Sequence, residues 1–269
     1  MMGEQKFNKL NIKSEKLEWL YVPDVKYFEY DNCQRCLQLI IPYKRNWDTN
    51  EKFPLVVFIP GSAWHKQEMY NNIPKRVALA KRGFVIAEVQ YRESEIAVFP
   101  AQVIDVKNAI QFLYTLAKQF HIDMNNIFVG GDSSGGHIAL LTGLTSKYGE
   151  LNENDNLCKI NGIISYCSPT DMFLTKKTGP IEDLLGTDIV ENASELAKSA
   201  SCSTYISDER EIPPILLFHG TDDEYVSIEN SRQLYNTLKN HNKEVSYYEL
   251  NGAEHCCPTF WGDEVLNIV

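Results

Sequence analysis

The chain of 269 residues has no apolar run approaching the length of a membrane span. Its opening stretch, Met1 to Leu20, is polar and charged and has no apolar secretory core. Membrane insertion and export are therefore not expected, and a cytoplasmic location is. Basic character is also scarce. There are 26 Lys and Arg against 36 Asp and Glu, a net charge of -10, and no Lys/Arg-rich block, which argues against nucleic acid as a partner. The seven cysteines are Cys33, Cys36, Cys158, Cys167, Cys202, Cys256 and Cys257, an odd number without a scaffold spacing. Cys33-x-x-Cys36 has no second pair to complete a zinc site, and free thiols in a reducing compartment are expected. No His/Cys/carboxylate cluster has metal-ligand spacing, and no Gly-x-Gly-x-x-Gly follows the first strand, so no metal or cofactor is called for. There is no internal repeat, low-complexity tract or linker, and residues 1–269 are expected to form a single domain.

What is present alternates. Residues 1 to 24 read as an irregular or helical lead-in. Val25 to Tyr30 and Arg35 to Ile41 read as two antiparallel strands joined at Asp31-Asn32. Pro54 to Ile59 is a continuous apolar run of the kind buried on both faces of a sheet, and Phe84 to Tyr91 reads as another buried strand. A helix is expected over Ile73 to Arg82. The strongest helical pattern runs from Pro100 to Phe120, with Val103, Val106, Ile110, Leu113 and Ala117 on one face. Further strands are expected at Ile160 to Cys167, Pro214 to His219 and Val245 to Leu250, the last with the mixed polarity of an edge. Ser227 to Asn240 and Pro258 to Val269 read as helices. This alternation implies an α/β fold with a mostly parallel central sheet and helices on both faces. Ser168 to Asp208 is the one long stretch of mixed character, and is the candidate for a small lid.

The stretch Ile127-Phe-Val-Gly-Gly-Asp-Ser-Ser-Gly-Gly-His-Ile-Ala139 carries the chemistry. A β-type run stops at glycines, turns over one serine and restarts as a helix, the setting in which Gly-x-Ser-x-Gly becomes a nucleophile elbow. Gly131 and Gly135 flank Ser133, whereas Ser134 has Asp132 two places before it, so the register is unique. Strand and helix nearly collide at such a bend, which requires residues without a Cβ at both flanks. A serine hydroxyl needs a base, and the base needs an orienting acid. Candidates follow two later strands: His219-Gly-Thr-Asp-Asp-Glu-Tyr-Val226, with Asp222, Asp223 and Glu224, and Asn251-Gly-Ala-Glu-His255.

From about Lys52 onward the chain resembles the α/β-hydrolase superfamily, and within it the bacterial carboxylesterases related to hormone-sensitive lipase. The resemblance rests on Gly-Asp-Ser-Ser-Gly-Gly-His, on Tyr91-Arg92 with Phe99-Pro100-Ala101 and Asp105, on His219-Gly220-x-x-Asp223-x-x-Val226 and on Gly252-Ala253-Glu254-His255. It implies an α/β-hydrolase fold with Ser133 as nucleophile, Asp223 as orienting acid and His255 as general base and acid. The family's oxyanion loop reads His-Gly-Gly-x-Trp, where this chain has Pro60-Gly61-Ser62-Ala63-Trp64. The expected donors are the backbone N–H groups of Ser62, Ala63 and Ser134. Trp64, Phe260 and Trp261 are candidates for lining a modest pocket, with packing at the sheet edge as the competing reading.

Other residues have structural readings. His137 is expected to pack inside, His219 to make structural hydrogen bonds, and Asp132 to anchor the elbow. Arg92 and Asp105 are expected to form a buried pair, and His65, His121 and His241 need no role. Cys256 and Cys257 read as small hydrophobes beside the base, where oxidation or alkylation would act indirectly. The implied activity is hydrolysis of small-molecule esters with short acyl groups through an acyl-enzyme. An amidase, arylformamidase or small exopeptidase would use the same triad, and a hydrolase-shaped binding protein with a spent site is the non-enzymatic rival. Oligomeric state is not legible in the sequence.

Overall fold

Every residue from Phe53 to Ile59 except Pro54 is buried, so both faces of this strand must be covered. A computed structural model describes residues 17–30, 33–44, 50–153, 157–174, 179–186 and 193–269. In it this segment is β3 (Phe53–Ile59), near the middle of an eight-stranded sheet. The other strands are β1 (Glu18–Tyr30), β2 (Cys33–Tyr43), β4 (Val85–Val89), β5 (Ile122–Asp132), β6 (Gly162–Tyr166), β7 (Ile215–Gly220) and β8 (Val245–Leu250). Their order is β1-β2-β4-β3-β5-β6-β7-β8. β1 and β2 are antiparallel to each other and β2 is antiparallel to β4, while the remaining pairs are parallel.

The strand period of two divides the core. Leu55, Val57 and Ile59 point to one face, where they join Val103, Val106, Ile110 and Leu113 of α2 (Ala101–Leu116) and Ile138 and Leu141 of α3 (Ser134–Leu144). Leu234 and Leu238 of α6 (Glu229–Asn240) complete that layer. Val56 and Phe58 point to the opposite face, against Leu79 and Ala80 of α1 (Ile73–Ala80) and Val265 and Leu266 of α7 (Asp263–Leu266). Each such aliphatic side chain contributes roughly 1.5–3 kcal/mol on full burial. Every residue of α3 is buried, so this helix is apolar on all sides and sits inside the molecule. The result is the α/β-hydrolase architecture expected from the alternation of elements.

Some element bounds differ from expectation. The lead-in is not irregular up to residue 24, because β1 begins at Glu18. Pro23 sits where the β1–β2 register jumps between Val22 and Val25, with Asp24 at φ 53°. A bulge on an edge strand absorbs the missing N–H. Residues 1–16 and the turn at Asp31-Asn32 lie outside the described residues. The C-terminal segment is a 3₁₀ turn at Pro258–Trp261 followed by α7, not one helix, with Gly262 between them. Between β6 and β7 the described residues form α4 (Gly179–Leu185), α5 (Ala193–Ser199) and a 3₁₀ turn at Cys202–Tyr205.

The sheet and α3 approach each other most closely where β5 ends. A Cβ added to Gly135 would overlap the carbonyl of Ile59 on β3, and one added to Gly131 would overlap the carbonyl of Gly135. Both obstacles are backbone, which cannot rotate away. Gly135→Ala is therefore expected to lower the unfolding free energy by about 3 kcal/mol or more. Denaturant titration checks this, and a variant as stable as the parent would show that strand and helix have room to part.

Candidate active site

Ser133 occupies φ 53°, ψ -128°, a conformation costly for any residue with a side chain. It is held there from two sides. Its N–H donates to Tyr166 O of β6 at 2.8 Å, and its carbonyl accepts from His137 N at 3.1 Å in the first turn of α3. The bend lifts the hydroxyl clear of the sheet and sets it at the positive end of a buried helix. The Oγ–H donates to His255 Nε2 at 2.9 Å, and His255 Nδ1–H donates to Asp223 Oδ2 at 2.7 Å. His255 follows β8 and Asp223 follows β7, so three strand ends converge on one point. Of the three neighbouring acids, Asp223 is the one that reaches His255. Asp222 Oδ1 instead accepts from the Thr221 hydroxyl, and Asp222 and Glu224 are exposed.

Asp223 has no exposed side-chain surface, and both of its oxygens accept hydrogen bonds. Oδ1 accepts from Val226 N at 2.8 Å and Tyr225 N at 3.0 Å. Oδ2 faces His255 and also His219 Nε2 at 3.3 Å. Burial alone would raise its pKa. The N–H groups of His219, His255 and Val226 outweigh that and hold the carboxyl well below the usual range, so it is ionised throughout. His219 is buried, with Ser231 Oγ at 2.7 Å on its other nitrogen, and braces the acid from behind. For His255, burial would lower the pKa, and the Asp223 carboxylate reverses the sign and raises it.

The loop after β3 is tied down residue by residue. Gly61 N–H donates to Asp132 Oδ1 at 2.7 Å, and Ser62 N–H donates to Ser134 Oγ at 2.9 Å. The Ser62 hydroxyl donates to His65 O at 2.6 Å. Trp64 Nε1–H donates to His137 Nδ1 at 3.1 Å, and His137 Nε2–H donates to Ala200 O at 2.7 Å. This fixes the neutral tautomer of His137, whose burial pushes its pKa down to about 4 despite the Ala200 carbonyl. The expectation for Ser62 is corrected: its N–H is engaged by Ser134 Oγ and does not face the cleft unpaired. The N–H groups of Ala63 and Ser134 make no hydrogen bond among the described residues. Ala63 and Trp64 reach this arrangement at φ 53° and 62°, a left-handed backbone that is costly for residues with a side chain.

Ser133 and His255 open into a cleft of about 640 Å³. Its apolar wall is Trp64, Pro169, Pro180, Ile181, Tyr225 and Val226, with Asn72 and Lys75 at a polar margin. Of the expected pocket aromatics Trp64 is present, but Phe260 and Trp261 are not. Phe260 is buried edge-on to Tyr166, and Trp261 packs on Phe58, so both belong to the core on the opposite face of the sheet.

Residues 41–238 match the BD-FAE family. The chain belongs to the BD-FAE family of the α/β-hydrolase superfamily. It is similar to the esterase LipC of Mycobacterium tuberculosis, 28% identical over 81% of this chain and 56% of that one. A truncated carbohydrate esterase from gut microbiota shares the fold at TM-score 0.79, with 23% identity over 95% of both chains. Esterase B from Lactobacillus rhamnosis shares it at TM-score 0.76, with 19% identity over 95% of this chain and 83% of that one. The chain spans about half the length of the curated relatives it matches.

In this BD-FAE chain several contributors escape a reading of the sequence. Arg76 is fully buried, 3.4 Å from the Phe58 ring centroid, with Nε 2.6 Å from Glu88 Oε2 and a terminal nitrogen 3.9 Å from Asp132 Oδ2. Glu88 and Arg76 thus stand behind the carboxylate that holds Gly61. A glutamate within the apolar run Phe84 to Tyr91 was the available signal, since a charge buried in a strand must be paired. Arg92 and Asp105 do pair as expected, at 2.8 Å, with Asp105 buried and Arg92 partly exposed.

Two outcomes follow from these protonation preferences. A neutral His255 is needed for proton uptake, and Asp223 stabilises the protonated form. The acid limb of kcat/KM should therefore lie above the ordinary histidine value and move to lower pH in Asp223→Asn, alongside a large loss of rate. Unmoved limbs in pH-rate profiles of the two proteins would contradict the pairing. His137 binds a proton when unfolded but not when folded, so its contribution is full above about pH 6.5 and is lost as pH falls toward 4. Unfolding free energy should fall by about 2 kcal/mol between pH 7 and 5 from this group. His137→Gln should flatten that slope in denaturant titrations, and an unchanged slope would place the loss elsewhere.

Proposed function

We propose that this chain is a serine carboxylesterase that cleaves short-acyl esters through an acyl-enzyme. The observation that carries the reading is the continuous hydrogen-bonded path from Ser133 Oγ through His255 to an ionised, fully satisfied Asp223. Ser133 attacks the ester carbonyl while His255 Nε2 takes its proton. Asp223 holds the ring in the tautomer that leaves Nε2 free and stabilises the charge that forms on it. The developing oxyanion meets the N–H groups of Ala63 and Ser134 at the start of α3. His255 then returns the proton to the leaving alcohol, and water releases the acid by the same steps in reverse. The esterase name of LipC supports an ester over an amide.

The cleft sets the size of the acyl group. The described residues of segment 168–208 supply Pro169, Pro180 and Ile181 as a partial roof, while Met172, Leu184 and Leu185 turn inward to the core. Phe173 is exposed, and Lys176, Lys177, Asp188 and Glu191 lie outside the described residues. Burial of a methylene contributes about 0.8 kcal/mol only where an apolar wall receives it. The free thiols fit a reducing, cytoplasmic setting.

Ser133→Ala should fold normally and lose roughly three to six orders of magnitude in kcat. On a series of aryl esters, rates should peak between acetyl and butyryl and fall steeply beyond. An unimpaired Ser133→Ala would end the assignment of the nucleophile. A maximum on long, lipid-like chains would mean a deeper channel than this wall provides, and faster turnover of matched amides would replace the ester reading.

A further inference from the structure

Cys167 and Cys256 lie with their sulfurs 2.8 Å apart, next to the residue that activates Ser133. Cys167 immediately follows β6, is fully buried, and donates its N–H to Phe218 O of β7 at 2.8 Å. It is riveted to the sheet. Cys256 immediately follows His255, is half-buried, and lines the cleft. One thiol is thus reachable from the substrate side, and the other stands behind it.

We propose that Cys167 and Cys256 form an oxidisable dithiol site, whose disulfide displaces His255 and lowers the activity proposed above. The activity half of this inference rests on the serine-hydrolase reading, and the formation of the bond does not. The oxidant is a peroxide arriving through the cleft. The Cys256 thiol attacks one peroxide oxygen, the O–O bond breaks, and the thiol proton passes to the departing hydroxide, so that with hydrogen peroxide a sulfenic acid and one water result. The Cys167 sulfur then attacks Cys256 Sγ, hydroxide leaves, takes up the Cys167 proton and departs as a second water. Two thiols lose two hydrogens and one peroxide is reduced to two waters.

The sulfurs must close from 2.8 Å to a bond of about 2.05 Å. Cys167 is fixed by the β6–β7 pairing, so the movement falls on the loop carrying Cys256 and, one residue away, His255. A catalytic group displaced by up to about 1 Å can cost about a hundredfold in rate. The hydrogen bond between the thiols, with burial, holds Cys256 protonated far above the ordinary range, so the resting protein stays reduced in a reducing compartment. His255 joins the two sulfurs as the third member of a cluster within 4.8 Å. Both of its nitrogens already serve Asp223 and Ser133, however, which favours a disulfide over a soft metal as the product of this site.

The test uses the full chain, purified with reductant, freed of it, and treated with excess hydrogen peroxide in the presence of a chelator. The expected result is a loss of two hydrogens in mass, a non-reducing peptide map linking the Cys167 and Cys256 peptides, and a ten- to hundredfold fall in kcat/KM restored by dithiothreitol. Cys167→Ala should form no such link and keep most of its own reduced-state activity under the same treatment. The peptide map of the parent chain decides the bond even if that variant folds poorly or no ester is turned over. Complete oxidation without a 167–256 link would overturn the site. A link with undiminished kcat/KM would overturn its control of His255. Inactivation that requires added zinc in place of peroxide, with mass unchanged, would overturn it in favour of a metal-binding dithiol.

Discussion

The close approach of β5 and α3 at Ser133 is the constraint on which the rest of the site depends. Here a single residue joins the end of a central parallel strand to a helix buried on every side. Gly131 and Gly135 permit the approach, and the left-handed conformation of Ser133 is its consequence. The hydroxyl is positioned by the backbone, before any side-chain partner is considered, and the strain at Ser133 is held by the β5–β6 pairing on one side and the helix on the other.

From that point the machinery is assembled by anchors of two kinds. Backbone ladders bring Asp223 and His255 to the ends of adjacent strands, and β7–β8 register sets their spacing. Buried polar groups shape the loop after β3: Glu88 and Arg76 stand behind Asp132, which holds Gly61, while His137 holds Trp64. The N–H groups of Gly61 and Ser62 are taken, and those of Ala63 and Ser134 make no hydrogen bond among the described residues. Pro60 and Ser62 stand where the family's motif has histidine and glycine, and the loop is secured through Gly61, Ser62 and Trp64.

The α/β architecture was legible because continuous apolar strands alternate with helical patterns from Phe53 onward, and periodicity is a local property. The elbow was legible for the same reason, since Gly131, Ser133 and Gly135 encode a backbone shape within a few residues. What was not legible depends on distant pairing. Nothing local in Ser62 tells that Ser134 Oγ will take its N–H. Phe260 and Trp261 are aromatic in either reading, and only the sheet's two faces decide that they pack beneath it. The Cys167–Cys256 contact joins residues 89 apart in the chain and needs the converging ends of β6 and β8 to become visible.

The central claim, that a hydroxyl at this bend works against two backbone donors, is tested most directly by a crystal structure of the chain inactivated with a short-chain phosphonate ester. Phosphorus bonded to Ser133 Oγ, with its free oxygen within about 3 Å of both Ala63 N and Ser134 N, is the predicted result. Phosphorus on another residue, or that oxygen turned away from both donors, would contradict the account.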